Sequence, residues 1–152
     1  MIKIKESKLA IREFPIIEIG VPNSVGNIYT PESIKKILEI MEERKHLTGE
    51  LVDGLSNDEG EYVTKLDHVS HVVDHMFIED DFLVAVLRFR ETRNGKDALK
   101  MFEEGIVTPR PTLRGKVDSL THEITINDIV SVDLIPVTDK VLQKEINWIT
   151  LK

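Results

Sequence analysis

Gly105-Ile106-Val107-Thr108-Pro109-Arg110 divides two kinds of sequence pattern, and its reading decides the fold. Before it, Asp97 to Glu104 reads as a short helix that Asp97 caps and Gly105 ends, with Asn94-Gly95 as a break ahead of it. After it, Thr112 to Val117 and Glu123 to Val137 read as strands. The second is nearly continuous in Ile, Val and Leu, as in a strand buried on both faces. Gly105 to Arg110 is therefore expected to be a connecting loop, stiffened by Pro109 and Pro111.

Working back towards the N-terminus, Val69 to Ile78 and Phe82 to Arg90 alternate β-branched or aromatic residues with polar ones. Glu79-Asp80-Asp81 supplies the turn between these two strands. Gly54 to Glu61 is acidic and contains glycine, so it reads as an exposed loop. Pro31 to Arg44 is a helix. Thr30 is its N-cap, Pro31 takes the first turn, and Ile34, Ile37, Leu38 and Met41 form one apolar stripe. Ile2 to Pro22 reads as one or two short strands interrupted by Pro15. Asp139 to Lys152 is a tail with Ile146, Trp148, Ile149 and Leu151, either a last strand or a docking segment. The expected class is α+β, a mostly antiparallel β-barrel or sheet with two main helices in a single domain over residues 1–152.

Composition narrows the function classes. A chain of 152 residues is long enough to bury a core, and 41% hydrophobic with 31% charged residues is unlike a disordered sequence. A net charge of −7 argues against a nucleic-acid binder, which needs a basic face. The absence of cysteine removes disulfide, thiolate-metal and cysteine-nucleophile chemistry. No apolar run has the length of a membrane span, and the N-terminus alternates charge without the apolar stretch of a signal peptide.

Two further runs complete a set with Gly105–Arg110: Asn27-Ile28-Tyr29-Thr30-Pro31-Glu32-Ser33 and Gly49-Glu50-Leu51-Val52-Asp53. Their order and spacing, from about Asn27 to Asp139, resemble the prohead (head-maturation) proteases of tailed bacteriophages, in the T4-like branch. There the three runs read roughly N-x-x-x-Y-P, G-E-L-(N/D)-H-P and G-V-S-S-R-G. The resemblance implies a β-barrel flanked by helices, shared with the herpesvirus assembly proteases. It also implies that the histidine of the second run and the first serine of the third are a catalytic pair. In this sequence those positions hold Asp53 and Thr108, 55 residues apart. Arg110 matches the arginine of the third run, where the loop contributes to oxyanion stabilisation.

The replacements weaken the chemistry. An aspartate with an ordinary pKa of about 3.9 is poorly matched to proton transfer near neutrality. Pro109 has no N–H, so an amide beside the Thr108 hydroxyl is missing from any oxyanion site, and losing one such donor typically costs about 10²–10³ in rate. His71 is the candidate substitute base. On a helix His68, His71 and His75 would share a face like a metal site, but their Val, Met, Phe and Ile neighbours read as a strand. In a strand His71 and His75 share one face with His68 on the other. No cofactor or metal is expected. Asp133, inside an apolar strand, is expected to have a partner.

The leading expectation is thus a phage head-assembly protein with a prohead-protease fold and a silent site. It would bind capsid or scaffold proteins in the host cytoplasm or the phage particle, with a homo-oligomer compatible. An active serine/threonine-type protease with Thr108 as nucleophile and His71 as base is the first alternative. A small module binding a host protein through its acidic surface and apolar tail is the second.

Overall fold

The structure, a computed structural model, describes residues 10–51, 66–137 and the backbone of 147–150. Its elements run β1 (Ile11–Glu18), β2 (Ile28–Tyr29), α1 (Pro31–Arg44), β3 (Leu47–Glu50), a 3-10 turn (Leu66–His68), β4 (Val69–Glu79), β5 (Phe82–Phe89), α2 (Arg93–Glu103), β6 (Val107–Val117), β7 (Glu123–Pro136) and β8 (Asn147–Thr150). They form two four-stranded sheets, ordered β1-β5-β4-β3 and β2-β7-β6-β8. All pairings in the first sheet are antiparallel; in the second, β6 and β7 are antiparallel while β2 and β8 lie parallel to their neighbours.

The α+β class holds, and the sheets are open rather than closed into a barrel. Among the described residues they approach each other along two sides. At one, β3 runs on to Leu51, which makes an isolated parallel bridge to Leu134 of β7. At the other, β1 approaches β6 with no ladder between them. Prolines stand on both sides of this gap: Pro15 in β1, next to a bulge, and Pro109 and Pro111 in β6. Residues two apart in a strand aim their N–H groups to the same side, so Pro109 and Pro111 together remove donors from one edge. The β8 strand covers that sheet position only from Thr112 onwards.

The stretch from Thr108 to Arg110, expected as a loop, lies inside β6 and is paired residue for residue with Ile135, Leu134 and Asp133 of β7. The prolines are tolerated because the open edge asks for no donor there. The helix before it also differs from expectation. It starts at Arg93, with Thr92 as the N-cap accepting from the Gly95 amide at 3.1 Å, so Asn94-Gly95 lies in the first turn and Asp97 is not the cap. Gly95 is needed because a Cβ there would overlap the Arg90 carbonyl.

Helix α1 matches its sequence reading, with Thr30 Oγ1 accepting from Ser33 N at 3.1 Å and Ile34, Ile37 and Met41 buried. The strands β4 and β5 join through Asp80-Asp81, both at positive φ (49° and 65°), as a tight two-residue hairpin requires. Apolar side chains of both sheets and both helices form one core, including Ile34, Val73, Leu87, Ala98, Leu113 and Val132. The tail's Asn147–Thr150 pairs with Thr112–Gly115 of β6 as a last strand.

Candidate functional site

Polar side chains are concentrated where β3 and β4 meet β7 and β6. Glu50, Ser70, His71, Arg110, Thr112, Ser131 and Asp133 are all buried there. Ser131 and Asp133 interrupt the apolar run of β7 two residues apart, and so share a face of the strand. The Asp133 carboxylate accepts from the Glu50 amide (Oδ1, 2.9 Å) and from the Ser131 hydroxyl (Oδ2, 3.1 Å). Arg110 stands directly opposite Asp133 in the β6–β7 register, so two buried opposite charges occupy adjacent strand positions. His68, in the turn before β4, brings Nδ1 within 3.6 Å of Glu50 Oε1.

His71 is fully buried, and both of its nitrogens are engaged. Nε2 lies 2.6 Å from the Val132 carbonyl, which only accepts, so Nε2 carries the proton. Nδ1 then accepts from the Ser70 hydroxyl at 2.8 Å. Burial holds the His71 pKa below its ordinary 6.5, opposed by the Val132 hydrogen bond and by the charge of Asp133. Ser70 and His71 have the spacing of a nucleophile and its base, but both are closed off from solvent, and a carbonyl takes the place of an orienting carboxylate. Gly49, paired with His71 across β3–β4, completes the packing: a Cβ on it would overlap both His71 Nε2 and the Val132 carbonyl.

The candidate residues fall into separate places. His71, Arg110 and Asp133 belong to the polar seam. Thr108 is half-buried in β6 opposite Ile135, three positions along the ladder from Pro111 and its partner Val132. Three strand residues span about 10 Å, far beyond hydrogen-bond reach of the imidazole that meets Val132. Asp53 lies outside the described residues, as does the acidic loop from Gly54 to Glu61. His75 does not share a face with His71. The register shifts between Val73 and His75, and this bulge turns His75 to solvent while Met76 takes the buried position. Among the described residues no set of three His, Asp or Glu side chains is grouped to hold a metal ion.

Sequence reasoning missed Glu50, whose amide rather than its carboxylate matters, and Ser131. The signal was present in the polar pair Ser131 and Asp133 within the apolar run of β7. Among solved structures the chain is similar to the bacteriophage T4 capsid assembly protease, gp21, with 16% identity, a TM-score of 0.58, and coverage of 82% of this chain and 80% of that one. The chain has the fold of that protease. No protein-family model matches the sequence, and no curated protein matches it. No helix among the described residues is long and apolar enough to cross a membrane.

Proposed function

We propose that this protein is a phage head-assembly component that keeps the prohead-protease fold without peptidase activity and works by binding capsid or scaffold proteins. The observation that carries the reading is the state of His71. The one buried imidazole near the expected site spends one nitrogen on Val132 and the other on the buried Ser70, leaving no lone pair for Thr108. Thr108 supports it further, since its hydroxyl sits in a paired strand and the next residue, Pro109, offers no amide to an oxyanion. The likeness in fold to the T4 capsid assembly protease is in keeping with a setting in the host cytoplasm or the assembling particle.

The test is intact-mass analysis of the protein incubated alone and with the scaffold and capsid precursor of its own phage, followed by size-exclusion chromatography. The expected result is unchanged masses and co-elution with a head protein. Cleavage that disappears in Thr108→Ala overturns the reading and restores a threonine-type protease.

A further inference from the structure

At the end of β1 the chain turns through Gly20 (φ 78°) into a loop over residues 19–27 that returns as β2, and a cleft of about 450 Å³ lies between them. Ile16, Val21, Pro22 and Tyr29 make its walls, with Asn23 at the side and Glu18 as the one charged lining residue. Glu18 is exposed, and its carboxylate makes no ion pair or hydrogen bond with the other described residues. The loop holds its shape. Asn23 Oδ1 accepts from the Val25 and Asn27 amides (3.1 and 3.0 Å), and the Gly26 amide donates to the Asn23 carbonyl at 2.9 Å.

Next to this loop is the β6–β7 turn, fastened to it by the Ile28 amide donating to the His122 carbonyl at 2.8 Å. Asp118 builds that turn by accepting from the Leu120 and Thr121 amides (2.8 and 2.9 Å), and the same amides, Thr121 first, hold its carboxyl below the usual range. Two preformed turns thus present Val25, 61% exposed, on the loop that lines the cleft, and Leu120, 89% exposed, on the turn tied to β2 at Ile28. Rigid turns displaying apolar side chains lose little conformational freedom on binding.

We infer that this face is a protein-docking surface whose cleft takes an arginine or lysine side chain of the partner, with apolar neighbours of that residue resting on Val25 and Leu120. The argument for the occupant is complementarity. The apolar side chains of Ile16, Val21 and Pro22 suit the stem of a long basic side chain, and the Glu18 carboxylate, which no described residue pairs, suits its head. A chain of net charge −7 favours a cationic partner at distance as well. The cleft shares no residue with the polar seam, so the inference goes beyond the reading above and does not depend on it.

Heteronuclear NMR of the labelled full chain, titrated with acetyl-Leu-Arg-Leu-amide and with acetyl-Leu-Glu-Leu-amide, tests it. The expected result is saturable shifts at Glu18, Val21, Asn23 and Tyr29 with the arginine peptide only, and binding about two- to fivefold weaker in Glu18→Gln, the upper range of an exposed charge pair. Leu120→Ser, at a position 89% exposed and outside the core, is expected to remove the apolar contact of Leu120 and weaken the arginine peptide further. Equal response to both peptides, shifts elsewhere on the molecule, or affinity unchanged in Glu18→Gln overturns the inference.

Discussion

Gly49 and His71 constrain each other. With Gly49 replaced by alanine, the new methyl would meet the imidazole and the Val132 carbonyl, neither of which is the free end of a flexible side chain. Gly49→Ala is therefore expected to lower stability by about 3 kcal/mol or more, in the range of severe overpacking. Urea denaturation measures it, and a loss under about 0.5 kcal/mol would show that the seam can shift to make room. His71 also sets a pH dependence. In the unfolded chain it takes up a proton as pH falls through about 6.5, while burial keeps the folded chain's His71 neutral to lower pH. Between those two values the unfolded state binds more protons, so stability falls as pH falls, and above about 6.5 His71 contributes no slope. His71→Gln is expected to cost stability at pH 7 and to flatten the slope below 6.5. A slope unchanged in that variant would assign the acid sensitivity to other groups.

Helix α1 shows how an element is tied to a strand edge without being a strand. Ser33 near its start donates to the Ile124 carbonyl, and Arg44 at its end donates to the Ile129 carbonyl at 2.6 Å and pairs with Asp128. Eleven helical residues rise about 16 Å and five strand residues span about the same length, so the helix lies along β7 and satisfies carbonyls at both ends of the stretch. Ser33→Ala, buried and without a replacement donor, is expected to cost about 1–3 kcal/mol in thermal or urea unfolding. An effect within about 0.3 kcal/mol would mean the Ile124 carbonyl finds another donor. The helix was legible in the sequence because Thr30, Pro31 and the apolar stripe agree at short range. The loop reading of Thr108 to Arg110 failed for a long-range reason: whether proline breaks a strand depends on which neighbour its missing N–H faces. The His71–His75 pairing failed likewise, since a bulge is set by the partner strand and reverses the alternation without a local signal.

Across the whole molecule, the two sheets are held at the β3–β7 joint and left unpaired between β1 and β6. The joint consists of the Asp133 contacts to Glu50 and Ser131, the His71 bond to Val132 and the Leu51–Leu134 bridge. Burying these groups costs solvation, so their contribution is to fix one relative placement of the sheets rather than to add large net stability. Asp133→Ala removes the acceptor for two buried donors and the carboxylate opposite Arg110, an expected cost on the order of 3 kcal/mol. Asp133→Asn keeps an oxygen for the Glu50 amide and should retain more of the stability. Hydrogen exchange separates a local joint from general weakening. In Asp133→Ala the amides of Glu50 and Leu51 are expected to exchange well before those of the β4–β5 hairpin, whose ladder does not involve Asp133. Should all these amides accelerate together, the sheets would unfold as one cooperative unit, and the polar seam would be one more part of the core rather than the joint between its halves.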